Sequence, residues 1–200
     1  MKAFADVGET LRGAVHRVYS AAARQPASQQ TFPMGRSFAE SIGYPPDLLA
    51  CLPPVSIDAF TGVSNVSFFA DIPIGAIVLD LGCGAGLDSL IAAGRVGSAG
   101  KVIGVDFSEA MLARAHQAAA EFGIDNVEFH HTDAEDLPVA SNAIDIAIAN
   151  GIFNLNPDRE AIFRELERVL RRNGVVYAAE LILRKPLPIK VRSNPGNWFS

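Results

Sequence analysis

The fold of this chain is decided at residues 77–87, which read IVLDLGCGAGL. The apolar run from Ile77 to Leu81 predicts a short buried strand, and three alternating glycines follow it directly. Glycine permits a sharp turn and lets backbone N–H groups approach a ligand closely. A helical pattern begins at Leu87, so the stretch predicts a strand, a ligand-binding loop and a helix in succession.

The sequence beyond this stretch repeats the alternation of strand and helix. Predicted strands cover 101–106, 127–131, 144–149 and 175–183, and predicted helices cover 87–93, closing at Gly94, and 158–170, ending in a turn at 171–174. A further helix is capped by Ser108 and runs to Phe122. Since the strands are apolar throughout, both sheet faces must be covered, which predicts an α/β, Rossmann-like, doubly wound and mostly parallel sheet. Ligands of such sheets bind at the carboxyl ends of the strands, at the topological switch point.

Residues 1–75 lack this regular alternation of strand and helix patterns, and they hold most of the prolines. An apolar pattern from Glu9 to Ala23 predicts an amphipathic helix, and a second short helix is predicted near Pro46. We therefore expect three regions: an N-terminal helical cap or lid over 1–75, a nucleoside-binding core over 76–185 and a C-terminal tail over 186–200.

Composition excludes several classes of protein. The 200 residues are 49% hydrophobic with a net charge of −5, which suits one folded core and offers no basic stripe for nucleic acid. No apolar run reaches the roughly 18 residues of a membrane-spanning helix. Two cysteines predict neither a disulfide framework nor a zinc cluster, and the adjacent His130 and His131 point to opposite faces of a strand. We expect a cytoplasmic protein with no metal, no nucleic-acid partner and no membrane partner.

The glycine loop and the next strand together predict a nucleoside site. The loop reads G-x-G-x-G, with Leu87 where a dinucleotide fingerprint has its third glycine, which disfavours an NAD-linked oxidoreductase. Asp106 ends the second predicted strand, twenty residues after Gly86, where a carboxylate can accept hydrogen bonds from both ribose hydroxyls.

Polar residues also follow the third and fourth predicted strands. Asp133 is placed either to receive an adenine amino group or to form a turn. Asn150 and Asn154 follow the strand whose end should face the reacting group, and they are equally compatible with turn residues that bond to the backbone.

Successive motifs resemble class I S-adenosylmethionine-dependent methyltransferases over roughly residues 10–185. The motifs are LDLGCGAG at 79–86, VIGVD at 102–106 with Met111, DAEDLP at 133–138, and RVL at 168–170 before Asn173 and Gly174. Within that family the chain is most similar to the arsenite methyltransferase group, through KVIGVD at 101–106, LPVA at 137–140 and ANGIFNL at 149–155.

The resemblance implies the cofactor S-adenosylmethionine, with S-adenosylhomocysteine as its product, and assigns site residues. Asp106 would hold the ribose, Phe107 would pack on the adenine, and Asp133 with Ala134 would take the adenine edge. Gly82, Gly84 and Gly86 would surround the methionine part, and the expected cofactor-binding set is completed by Asp80, Cys83, Met111 and Asn150.

The chain departs from the arsenite group in its thiols. Arsenic(III) needs soft thiolate ligands, yet Gly151 stands where that group has a cysteine after the asparagine, and residues 62–64 contain none. The chain also ends at Ser200, about where the family continues, so we expect a truncated or naturally short relative with an open fifth-strand edge. Such an edge predicts self-association, as in a homodimer.

For methyl transfer, the protein mainly has to align an acceptor and exclude water. The catalytic candidates are Asn150, Asn154 and, on the predicted lid helix, Tyr19 and His16, which could instead simply pack. The expected function is transfer of a methyl group to a small-molecule acceptor. The alternatives are arsenite methylation, quinone-type carbon methylation in a phenylalanine-lined pocket, and cofactor binding without catalysis.

Overall fold

A five-stranded parallel sheet forms the centre of the computed structural model, which describes residues 2–25, 32–182 and 184–185, with side chains from residue 12 onward. The strand order is β3-β2-β1-β4-β5, and every pairing is parallel. The strands are β1 (Ile77–Leu81), β2 (Lys101–Asp106), β3 (Val127–His131), β4 (Ile144–Asn150) and β5 (Leu170–Ala179). The expected α/β, Rossmann-like, doubly wound architecture is confirmed.

Helices cover the sheet and form the cap. The core helices are α6 (Leu87–Val96), α7 (Glu109–Phe122) and α8 (Arg159–Val169). The cap contains α1 (Lys2–Arg24), α2 (Arg36–Ser41), α3 (Pro46–Ala50), α4 (Pro54–Asp58) and α5 (Val66–Phe69). A 3₁₀ turn, Phe153–Leu155, follows β4. No helix of the described ranges is long and apolar enough to cross a membrane.

The strand order places a switch point between β1 and β4. From β1 the chain moves to β2 and then β3 on one side, and it returns to β4 and β5 on the other. The connections that follow β1 and β4 therefore diverge, which opens a crevice at the carboxyl ends of these two strands. The glycine loop after Leu81 and the segment after Asn150 lie at this crevice.

Alternate residues of the strands pack on opposite faces of the sheet. Val78 packs with α5 and α6, whereas Leu79 packs with α8. A third cluster joins cap and core, because Tyr44 and Ile57 of the cap pack with Leu112 of α7; its other buried members include Leu49, Phe60, Leu87 and Leu90. The cap is thus held on the core by a shared cluster of apolar side chains.

Several predicted element boundaries were wrong. The first core helix continues past Gly94 to Val96 and ends at Gly97, whose φ of 65° suits glycine. The N-terminal helix begins at Lys2 rather than Glu9, because its amphipathic pattern extends further than the apolar residues that were counted. The short cap helix predicted near Pro46 is confirmed as α3.

The fifth strand differs most from its prediction of 175–183. It begins at Leu170 and ends at Ala179, and it includes residues 171–174, which were predicted as a turn. The pairing shifts there: Ile144 pairs with Leu170 and Ile146 pairs with Val175, so β5 bulges. Asn173 adopts a φ of 68° in this bulge. The turn-forming residues therefore distort the strand without interrupting it.

Replacement of a buried residue on β4 tests the packing of the sheet. Ile148 is 1% exposed, and Ile148→Ala should lower the free energy of unfolding by about 2–5 kcal/mol, because it leaves a cavity in the core. Ile74 is 83% exposed, so the matched Ile74→Ala variant should stay within about 0.5 kcal/mol of the parent. Urea denaturation followed by circular dichroism measures both. Equal losses in the two variants would contradict this packing.

Candidate functional site

A cleft lies over the carboxyl ends of β1 to β4 and beneath α1. Residues from these strand ends, from α1 and from the cap line it; they are Arg12, Val15, His16, Tyr19, Thr61, Gly82, Gly84, Val105, Asp106, Phe107, Met111, Thr132, Asp133, Ala134, Glu135, Asn150, Gly151, Ile152, Leu155, Asn156 and Pro157. Ten of the predicted site residues lie on this wall. The topological switch point therefore coincides with the cleft.

The glycine loop after β1 leaves room for a ligand. Gly82 and Gly84 have φ values of +71° and +53°, a region that favours glycine. A Cβ built on Gly84 would have no atom within 4 Å, although Gly84 lines the cleft, so the side chain of any other residue would project into open space there. The loop thus forms a cradle that another side chain would fill.

The carboxylate of Asp106 ties this loop to the end of β2. The backbone N–H of Gly84 donates to its Oδ2 at 2.9 Å, and the N–H of Ser108 donates to its Oδ1 at 2.8 Å. Burial raises the pKa of Asp106 to about 6, while the two N–H donors and the nearby His131 lower it. The group is thus ionised at neutral pH, and each oxygen retains a lone pair for a ligand hydroxyl.

Helix α1 covers the side of the cleft above β2. The ring centroid of His16 lies 4.1 Å from that of Phe107, and Tyr19 meets Phe107 edge-on at 6.4 Å. The hydroxyls of Ser20 and Ser108 are 3.1 Å apart, and Ser108 also caps α7. These contacts place α1 as a lid whose inner face includes two of the predicted catalytic candidates.

Arg12 fastens α1 to the loop after β3. Its guanidinium lies 3.8 Å from the carboxylate of Asp133 and hydrogen-bonds Glu135. Asp133 was predicted to receive an adenine amino group, and here its side chain is half exposed and faces a cation. Sequence reasoning missed Arg12, because nothing in a helical polar face indicates which loop it will meet.

Tyr19 is a hydrogen-bond donor in this environment. Burial first, and then the negative charges of Asp106 and Glu180, raise the pKa of its hydroxyl to about 12. The phenol is therefore protonated at neutral pH. A protonated phenol can donate a hydrogen bond but cannot act as a base.

Asn150 lies on the wall of the cleft, but its amide is bonded to protein groups. Its Oδ1 accepts from the N–H groups of Val63 and Ser64 at 2.7 and 3.1 Å. Its Nδ2 donates to the carbonyl of Ser64 at 2.7 Å and to Oδ2 of Asp88 at 2.9 Å. A Cβ on Gly62 would lie 2.5 Å from Nδ2, so the loop approaches the amide closely. Asn150 positions this loop against β4.

Four predicted site residues lie off the wall. Asp80 is 2% exposed and accepts a hydrogen bond from the Ser89 hydroxyl at 2.5 Å. The other three are Cys83, which is buried in the cap and core cluster, Gly86, which packs against Ala115 and Phe129, and Asn154, whose amide donates to the Leu181 carbonyl. The sequence pattern correctly placed them near strand ends but gave no information on which way they face.

The buried carboxylate of Asp88 joins cap and core. It accepts hydrogen bonds from the Tyr44 hydroxyl at 2.6 Å, from the Ser67 hydroxyl and from the amide of Asn150. Burial raises the pKa of Asp88, and these donors oppose that rise. Sequence reasoning missed this network, because an aspartate in the first turn of a helix usually faces solvent near the helix dipole.

The Asn150→Asp variant tests this network. An aspartate places a carboxylate oxygen where Nδ2 now donates to Asp88, so the two buried acids must share a proton or repel. The pair's pKa in the folded state then exceeds its unfolded value, so stability is lost as pH rises. We expect the urea midpoint to fall below the parent's by an amount that grows as the pH rises above the ordinary aspartate pKa of about 4, as titration of a like-charge pair requires. A deficit independent of pH would contradict this arrangement.

Comparison with known proteins agrees with this geometry. Residues 74–199 match the methyltransferase domain family. An arsenite methyltransferase of Halobacterium salinarum is 36% identical over 80% of this chain and 41% of its own length, and a demethylmenaquinone methyltransferase of Bacillus cereus is 36% identical over 55% and 46%. The chain thus spans less than half of either relative.

A solved structure extends the comparison. The crystal structure of an arsenic(III) S-adenosylmethionine methyltransferase from Chlamydomonas reinhardtii matches with a TM-score of 0.68 and 31% identity, over 76% of this chain and 55% of that one. The resemblance to class I S-adenosylmethionine-dependent methyltransferases is thereby confirmed. The strand order, the glycine cradle and these matches agree, and the chain belongs to the methyltransferase domain family.

Proposed function

We propose that this chain transfers a methyl group from S-adenosylmethionine to a small organic acceptor. The observation that carries the proposal is the juxtaposition of the Gly84 cradle and the buried Asp106 carboxylate on one wall of the cleft. A ribose diol needs such an acceptor, and the amino-acid part of the cofactor needs an open glycine turn beside it. The residues present therefore fit this cofactor.

Different residues of the chain bind different parts of the cofactor. Asp106 accepts the ribose hydroxyls, Phe107 packs on the adenine, and Asp133 with Ala134 borders the adenine edge, while Gly82 and Gly84 admit the methionine part. S-adenosylmethionine would supply an activated methyl group, which the acceptor's lone pair would take while the C–S electron pair stays on sulfur; the acceptor's proton would leave to bulk solvent when the product is released. Helix α1, with His16 and Tyr19, excludes solvent from this reaction.

The thiols of the chain support an organic acceptor rather than arsenite. The sequence has two cysteines, and neither lines the cleft. Cys83 is buried among apolar side chains, which raises the pKa of its thiol, and Cys51 is exposed at the end of α3. Arsenic(III) requires several thiolates at one point. The relative named as a demethylmenaquinone methyltransferase supports an organic acceptor.

Calorimetric titration with S-adenosylhomocysteine tests the cofactor site. Asp106→Asn removes the charge that accepts the ribose hydroxyls, so we expect affinity about ten- to a hundredfold weaker, the range for hydrogen bonds to an ionised group. Asp125→Asn makes the same change at an exposed position away from the cleft and should bind like the parent. Parent protein that is folded and binds no S-adenosylhomocysteine would exclude the proposal. Binding without turnover of any acceptor would favour a cofactor-binding protein.

We also propose a homodimer formed through β5. In the described part of the chain β5 is an outer strand, and Val175 and Val176 on it are 44% and 37% exposed. Open apolar edges favour pairing with another strand. Sedimentation velocity should give a dimer that Val176→Lys converts to a monomer, whereas Lys101→Val, on the opposite half of the sheet, should not. A monomeric parent at high concentration would contradict the proposal. A cytoplasmic location and the lack of nucleic-acid partners stay predictions.

A further inference from the structure

The wall of the cleft changes character along the order of the strands. At the ends of β2 and β3 it carries the charged residues, which are Asp106, Asp133 and Glu135, together with Arg12, which reaches them from α1. At the end of β4 and under the cap, the described wall residues are uncharged: Thr61, Asn150, Gly151, Ile152, Leu155, Asn156 and Pro157. Because the strands lie side by side, these two halves are separate surfaces, with the glycine loop of β1 between them.

Among the residues that the structure describes, none on the wall of the uncharged half is a cation. The cleft's one wall arginine, among described residues, is Arg12, and its guanidinium already faces two carboxylates at the other half. Burial raises the pKa of Glu180, and Arg159, which opposes this rise, does not lie on the wall. A bound phosphate or carboxylate would therefore lose its hydration without gaining a partner, at a large cost in free energy.

Two carboxylates outside this half also disfavour an anionic ligand relative to a neutral one. Both Asp106 and Glu180 raise the pKa of Tyr19, so their negative charge reaches the position of its hydroxyl. Glu180 is fixed there, because its carboxylate accepts the backbone N–H of Phe153 at 2.6 Å and of Asn154 at 3.4 Å. An anionic acceptor would be repelled at the point where a neutral one is not.

Tyr19 supplies a polar group for orientation. Tyr19 lines the cleft from α1, and burial is the main reason that the pKa of its hydroxyl is raised to about 12, so the phenol keeps its proton. The phenolic proton is then free to be donated to a lone pair on a bound molecule. One donor among apolar groups such as Ile152 and Leu155 fixes the orientation of a mainly apolar ligand.

We infer that the acceptor is a small, uncharged, mainly apolar organic molecule that accepts a hydrogen bond from Tyr19, and that molecules with a phosphate or carboxylate group are excluded. The inference rests on the proposed function, since it assigns the charged half of the cleft to the cofactor's adenosine. It narrows the acceptor from small molecules in general to those without an anionic group.

The experiment measures binding of matched neutral and anionic probes to protein saturated with S-adenosylhomocysteine. The probe pairs are benzyl alcohol with benzoate, phenol with phenyl phosphate, and indole with indoleacetate. Saturation-transfer NMR measures the binding of each probe. We expect each neutral probe to bind at least tenfold more tightly than its anionic partner. Equal or tighter binding of the anions, or no binding of any probe, overturns the inference. Failure to bind S-adenosylhomocysteine overturns the proposed function instead.

Two variants separate charge from hydrogen bonding. Tyr19→Phe should weaken benzyl alcohol about fivefold and leave indole unchanged, because indole offers no lone pair to the lost donor. Tyr177→Phe, on β5 and away from the cleft, is the matched control. Leu155→Arg places a cation on the uncharged half and should raise benzoate binding at least tenfold. An equal loss for both neutral probes in Tyr19→Phe, or unchanged benzoate binding in Leu155→Arg, overturns the corresponding part of the inference.

Discussion

The carboxylate of Asp106 accepts one N–H from the loop after β1 and one from the start of α7, and the site depends on this pair of bonds. The first bond fixes Gly84 beside the end of β2, where the N–H groups of Gly82 and Cys83 already donate to the Val105 carbonyl, and the second orients Ser108, whose hydroxyl meets Ser20 of α1. A buried carboxylate is costly unless it is bonded. The two backbone donors offset this cost and, at the same time, leave the outer lone pairs facing the cleft.

A second buried acid, Asp88, joins the cap to the core. Asp88 holds Tyr44 of the cap and Asn150 at the end of β4, and Asn150 in turn holds the backbone of residues 63 and 64. Apolar packing of the cap on α6 and α7 supplies most of the contact area, but it is not directional. The hydrogen-bonded network fixes the position of the loop that carries Thr61, and hence the shape of the uncharged half of the cleft.

The sheet could be predicted from the sequence because its signals are local. The strands β1, β2 and β4 are mainly apolar runs, and Ser108 and Gly123 mark the ends of α7 as expected. The bulge in β5 and the extension of α6 past Gly94 were not predictable in this way, because tertiary pairing and packing overrode turn propensity. Residues at strand ends were located correctly, whereas the direction of side chains such as Asp80 and Asn154 depends on neighbours distant in sequence.

The cleft shows how strand order determines chemistry. The acids that follow β2 and β3 gather on one side of the glycine loop only because those strands pair to the same side of β1. The segment after β4 lies on the other side and, held by Glu180, brings Ile152 and Leu155 to the wall. The proposed methyl donor is charged and the proposed acceptor is uncharged, and two such ligands need opposite surroundings, the first polar and the second dry. A parallel sheet with its switch point at β1 provides both surroundings on one edge, and α1 closes over the line where they meet.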